Sequence, residues 1–205
     1  MTGELLAAAL CGAVVAAYLL HLVFGPGSPA HRHHRHTRLL WVRGVMAERS
    51  QAVMAVQSLR NYVMAASFKA SSALLLAIGT VTLSAQADGL ARAWHPAGGV
   101  PWGPKVLLLL GALALAFVAF ALTVRHLNHV LFGVGLNAVD ATGPRTAENV
   151  SAQLNRAGIC YTLGMRALLL AVPVAAWLAG PVPLVVATAL AVGLCLSLDR
   201  LPAPH

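Results

Sequence analysis

The stretch Ala55 to Ser84, AVQSLRNYVMAASFKASSALLLAIGTVTLS, constrains this chain more than any other. Gln57, Arg60 and Asn61 occupy its first third, and the rest is largely apolar but contains a lysine, Lys69. Some 20 predominantly apolar residues are enough to cross a hydrocarbon core. The stretch reads as a transmembrane helix entered from a basic side, with a charge well inside the bilayer. Composition agrees: 59% of the 205 residues are hydrophobic and 10% are charged, against about 25% charged in soluble domains. Such a chain would precipitate in water, so the bilayer is the expected solvent. Residues 1–205 leave room for a single transmembrane domain and no second folded module.

Apolar segments run from about Leu5 to Phe24, Tyr62 to Leu83, Lys105 to Val124, Gly158 to Leu178 and Leu184 to Leu198. The expected fold is all-α: a helical membrane protein with about five transmembrane helices, or four plus a re-entrant fifth segment. The third segment is expected to continue as helix through RHLNHVLFGVG, and Gly133 to Gly143 to form a loop. Thr146 is a candidate N-cap, and Pro173 a candidate kink. Gly180-Pro181-Val182-Pro183 cannot continue a regular helix and predicts a tight turn. Residues 25–50 form the most basic stretch, read as a His/Arg-rich cytoplasmic loop. From Thr37 an amphipathic turn or two would lay Leu40, Trp41 and Val45 on the membrane surface. Trp94 and Trp102, in the loop Gln86 to Pro104, suit the opposite interface. Ala66-Ala70 and Ser67-Ser71 are small pairs that permit close helix approach at bundle-facing positions.

Orientation follows from the Lys and Arg bias. With the N-terminus outside, Arg32, Arg35, Arg38, Arg43, Arg49, Arg60, Arg125, Arg145, Arg156 and Arg200 lie inside, and only Arg92 and Lys105 outside. This predicts a multi-pass protein of the plasma (inner) membrane with a cytoplasmic C-terminus. Glu4 precedes the first segment with no Lys or Arg, which reads as a retained anchor rather than a secretory signal. A net charge of +8 predicts contact between the basic loop and anionic lipid headgroups. No polar module exists to bind nucleic acid. Cys11, Cys160 and Cys195 fall in apolar segments and read as apolar filler. A homo-oligomer is compatible with the sequence.

Several blocks carry a family resemblance. They are Trp41, then Val56-Gln57-Ser58-Leu59-Arg60-Asn61, Met64-Ala65-Ala66-Ser67 and Ala70-Ser71-Ser72. Arg125-His126-Leu127-Asn128-His129 follows, then Tyr161-Thr162-Leu163-Gly164-Met165-Arg166. Pro173, Trp177, Gly180-Pro181 and Leu198-Asp199 complete the series. From about Leu40 to Asp199 the chain resembles the family known as domain of unknown function 599. The resemblance implies a multi-pass, membrane-embedded protein of a kind found in bacteria and plants, and supplies no activity. Lys69 stands where the family pattern implies an apolar residue.

Lys69 and Arg166 each lie roughly 10 to 12 Å from the cytoplasmic end of their spans at 1.5 Å per residue. A charge at mid-membrane costs at least ~2.5 kcal/mol and usually faces a bundle interior or a cavity. The six acidic residues all sit in loops or at span ends, so no carboxylate is expected at that depth. On helical wheels Asn155, Thr162, Arg166, Pro173 and Trp177 share a face. So do Gln57, Arg60, Asn61, Met64, Phe68 and Ser71, with Lys69 off that stripe. Arg125, Asn128 and His129 share a third.

One reading is a cationic vestibule for an anion. Arg166 and Thr162 would make the contact, Arg60 and Asn61 would line its mouth, and Arg125, Asn128, His129 and Lys69 would complete it. The other has Lys69 and Arg166 snorkelling to the interface or bonding helix carbonyls, with the stripes gluing helices together. The protein is then either a small anion channel or transporter, or a membrane interaction and assembly protein.

His21, His126 and His129 read as interfacial histidines. The run His31, His33, His34, His36 reads as a solvated basic segment, so no metal site and no cofactor is expected. No enzyme is expected either. The chain lacks HExxH, GxSxG and a phosphate-binding loop, and Asp88-Gly89-Leu90-Ala91-Arg92 falls short of a phospholipid-synthase signature.

Overall fold

The structure is a computed structural model that describes residues 2–24, 29–86, 100–135 and 146–200. Among them are six α-helices and one short 3-10 turn, with no strand. We number the helices α1 (Thr2–Phe24), α2 (Pro29–Ala47), α3 (Ala52–Ala85), α4 (Trp102–Val134), α5 (Ala147–Trp177) and α6 (Pro181–Arg200). Four stretches are long and apolar enough to cross a membrane: Gly3–His21, Ala52–Ala85, Trp102–Val134 and Ala147–Trp177. The fifth apolar segment, Pro181–Ser197, is shorter.

The helix ends follow the local sequence. Thr146 caps α5, its Oγ1 accepting from the Asn149 N–H at 3.4 Å. Gly180 adopts φ 130°, a left-handed conformation that glycine takes without steric cost. Its N–H donates to the Trp177 carbonyl at 3.1 Å. Pro181 then opens α6 at the first helical position, where its missing N–H would be an orphan in any case. The basic stretch departs from expectation. Most of it is helical, over Pro29–Ala47, rather than a loop with one or two amphipathic turns.

The chain forms two compact units, each drawing on several helices. Unit 1 comprises Met1–Gly27, Ser72–Ala116 and Met165–Pro202; unit 2 comprises Ser28–Ser71, Phe117–Gly164 and Ala203–His205. In unit 2, Val42, Val45 and Met46 of α2 pack with Ala55 and Leu59 of α3, Leu127 and Val130 of α4, and Val150, Leu154 and Ala157 of α5. The spacing Val42, Val45, Met46 places all three on one face of α2. Arg35, His36, Leu40 and Trp41 are exposed.

Between helices in hydrocarbon, association rests on close packing rather than on expulsion of water. Small residues serve that end. A Cβ on Gly164 would lie 2.9 Å from the Phe120 ring, and one on Gly133 would lie 2.7 Å from a Val150 methyl. Ala66 and Ala70 are buried as expected, but Ser67 and Ser71 are exposed. The apolar alanine methyls fill the packed side, while the serines take the outer one.

Unit 1 has two clusters. Tyr18 of α1 packs with Val192 and Cys195 of α6. Leu109 and Leu113 of α4 pack with Ala171 of α5.

Candidate functional site

The polar groups of unit 2 are sorted by helix phase. Leu59 and Ala66 fill the core, which turns Gln57, Arg60, Asn61, Met64, Phe68 and Ser71 outward on α3. The stripe that these residues form on the helical wheel is therefore the exposed side of α3. On α4 the burial of Thr123, Leu127 and Val130 leaves Arg125, Asn128 and His129 exposed. Thr162 is exposed too, and its hydroxyl donates to its own helix at the Gly158 carbonyl, 2.8 Å away. Among the described residues, no hydrogen bond or ion pair joins Arg60, Asn61, Arg125, Asn128 or His129 to one another or to Lys69. Of the eight expected site residues, Lys69 and Arg166 are half-buried. Arg166 belongs to unit 1 and is not without a partner.

Lys69 lies off the outward stripe of α3 and turns toward α5. Its Nζ donates to the Tyr161 hydroxyl at 2.6 Å and sits 4.9 Å from the centroid of that ring. Tyr62 and Phe120 meet the same ring edge-on, with centroids at 5.1 and 5.7 Å. Two aromatic rings thus fix one phenol, and the phenol fixes the ammonium. Both interactions stabilise the cation without neutralising it. The ammonium keeps two further N–H donors, and the phenol keeps its own O–H.

Two contacts tie α2 to α5 in the same unit. Arg38 donates to the Asn155 side-chain oxygen at 3.1 Å. Its guanidinium lies where a Cβ on Gly158 would come within 2.6 Å. Arg43 pairs with Glu148 at 2.7 Å, both side chains being more than half exposed. The basic stretch therefore spends two of its arginines on holding α2 in place.

Unit 1 holds a polar cluster that the sequence did not reveal. Lys105 is fully buried. Its Nζ donates to Glu4 Oε1 at 2.5 Å, with the Trp177 carbonyl at 3.5 Å. Glu4 also accepts from the Trp177 indole N–H at 3.1 Å and the Val100 N–H at 2.9 Å. Lys105 lies 5.2 Å from the Trp177 ring centroid. A buried pair repays its desolvation only with such extra bonds. Glu4 stands in the first turn of α1, where the helix dipole favours a negative charge. One signal was available: on the predicted topology, Glu4 and Lys105 open their segments on the same side.

Beside this cluster unit 1 has a cavity of 670 Å³, open on one side, between α1, α4, α5 and α6 and lined almost wholly by apolar side chains. None of the eight expected site residues lines it. Among the described residues, no group of three His, Cys, Asp or Glu side chains could hold a metal. Asp88, Arg92, Trp94 and Asp140 lie outside the described residues, as do the side chains of His31, His33, His34, Arg49 and Asp199.

The sequence profile of the family described as "Protein of unknown function, DUF599" matches residues 5–203. The chain belongs to that family, and the match takes in α1 and the His-rich run as well as the blocks quoted above. No curated protein and no solved structure matches it.

Proposed function

We propose that this member of the DUF599 family is a multi-pass membrane protein that binds and passes a small anion in unit 2. The supporting observation is the Lys69–Tyr161 pair. A half-buried ammonium is held by a phenol and its ring, and among the described residues no carboxylate pairs with it. Two ammonium N–H groups and the phenol O–H are the donors that replace an anion's water. Low dielectric strengthens the attraction, and an opening to water lets the ion leave. The exposed Arg60, Asn61, Arg125, Asn128 and His129 draw anions to the unit through its field. The sequence pattern gives the contacting step to Arg166 and Thr162. Because the Thr162 hydroxyl already donates to Gly158, we assign that contact to Lys69 and Tyr161.

The assembly reading has less behind it. Ser58, Thr80, Thr82, Thr162 and Thr188 all donate to carbonyls four residues earlier in their own helices. Hydroxyls satisfied in this way do not glue one helix to another.

Anion flux into proteoliposomes tests the proposal. Wild type should pass chloride, nitrate or phosphate. Lys69→Met should abolish the flux, and Arg166→Gln should leave most of it. No flux of any of these anions under any gradient sinks the anion reading, and full flux through Lys69→Met sinks the site. The orientation belongs to the same reading: N-terminus outside, with α2 at the cytoplasmic face of the plasma membrane. Cysteines introduced at Ser28 and Gly98 report it, since only the second should react with an impermeant reagent added outside.

A further inference from the structure

We propose that the cavity of unit 1 is a binding site for one acyl chain of a bilayer lipid, distinct from the anion site of unit 2. Its 670 Å³ falls within the roughly 300–1,000 Å³ typical of small-molecule sites. Cys11 and Val15 of α1, Leu108 and Leu115 of α4, Val174 of α5 and Leu184 of α6 are among its walls. Gly12 and Gly111 also line it, and a Cβ built on either meets nothing within 4 Å. Side chains absent from two helices are thus part of the space. At other glycines, such as Gly133 and Gly164, a neighbour fills the gap.

The walls select the chemistry of the occupant. Thr188 lines the cavity, but its hydroxyl donates to the Leu184 carbonyl at 2.7 Å. Trp177 lines it too, but its indole N–H is held by Glu4 at 3.1 Å. Neither Glu4 nor Lys105 is part of the wall. The lining therefore offers no charge and, beyond the weak S–H of Cys11, no unused side-chain donor, which disfavours a headgroup, a sugar or any ion. Branched aliphatic walls suit a flexible hydrocarbon.

The surroundings select the source. The outward faces of these helices carry Leu6, Leu10, Val182 and Leu190, each more than 60% exposed. The medium they are built for is the bilayer interior, where lipid chains are the most abundant apolar species. Left empty, the lining would forfeit its dispersion contacts on one side. An acyl chain restores them and needs no polar recognition.

Photolabelling tests this in the full-length protein, reconstituted in phosphatidylcholine vesicles doped with a phospholipid that carries a diazirine midway along one chain. After irradiation and digestion, peptides bearing Cys11, Leu108 or Val174 should carry more label than the peptide bearing Leu75, a fully lipid-facing position (68% exposed). Gly12→Leu and Gly111→Phe, whose Cβ atoms start in open space beside the cavity, should lower the excess to the Leu75 level. If Gly111→Phe does not fold, Gly12→Leu decides alone. Equal labelling of cavity and Leu75 overturns the proposal, as does an excess that survives both substitutions. Crosslinks from these positions to a second copy of the chain, in place of lipid, also overturn it.

Discussion

Lys69 on α3 and Tyr161 on α5 are joined twice, by a 2.6 Å hydrogen bond and by an ammonium-to-ring distance of 4.9 Å. The pair reconciles two facts that conflict in the sequence: a lysine inside an apolar span and no acid near it. A phenol gives the ammonium a hydrogen-bond acceptor, and its ring gives an electrostatic face, yet the net positive charge survives. A hydrogen bond to a charged group is worth about 1.5–3 kcal/mol. Tyr161→Phe keeps the ring and its packing against Tyr62 and Phe120. It should cost stability in that range in detergent unfolding, and lower anion flux. Adding Lys69→Met to Tyr161→Phe should cost less than the sum of the two single changes. Simple additivity would mean the bond is not made.

The Glu4–Lys105 pair behaves differently, because each charge is the other's counterion. Removing one partner of a buried pair typically costs about 3–5 kcal/mol, while replacing both with apolar residues is often neutral. Glu4→Gln and Lys105→Met should each lower thermal stability strongly. The double variant Glu4→Leu with Lys105→Met should recover most of the loss. A double variant as unstable as the worse single one would show that Trp177 and Val100 depend on Glu4 for more than charge balance.

Two glycines on different helices should respond in opposite directions. Gly111 of α4 faces open space, and alanine there gains about 1 kcal/mol of helix propensity. Gly164 of α5 abuts the fully buried Phe120 ring, and overpacking costs about 1–3 kcal/mol. Unfolding midpoints of Gly111→Ala and Gly164→Ala should therefore move up and down respectively. Movement of both in the same direction would contradict the packing of Phe120 on α5.

The outer face of α2 should bind anionic membrane. Arg35 and His36 are exposed beside Leu40 and Trp41, and each Lys or Arg near such a surface contributes about 1 kcal/mol. A peptide of residues 30–50 should bind phosphatidylglycerol vesicles and lose affinity steeply as salt rises. Binding that ignores salt would assign the contact to Trp41 and Leu40 alone.

The helices were legible because apolar runs long enough to span leave few alternatives, and Thr146 and Gly180 punctuate them with familiar chemistry. The helicity of α2 was obscured by its arginines and histidines. The signal lay in Val42, Val45 and Met46, whose spacing outweighs the charge around them. The wheel separates Lys69 from the stripe of Arg60 and Asn61, but an acid or a carbonyl is the obvious partner for an ammonium, and Tyr161 is neither. A wheel also shows which residues share a face and not whether that face turns inward. Lys105 and Glu4 lie 101 residues apart, and nothing local to either announces the other.

The threonine bonds within helices have a consequence for biogenesis. Thr80 and Thr82 of α3, Thr162 of α5 and Thr188 of α6 have their hydroxyls satisfied inside single helices. If the helices enter a bilayer one at a time, as the proposed membrane reading has it, these four hydroxyls need no neighbour. The ammonium of Lys69 and the carboxylate of Glu4 do. The main partner of Glu4 opens α4, so on the same reading α1 waits with an unmatched carboxylate until the third apolar stretch has been synthesised. On this reading, unit 1 closes late, and the ribosome must deliver Lys105 before α1 has a settled place.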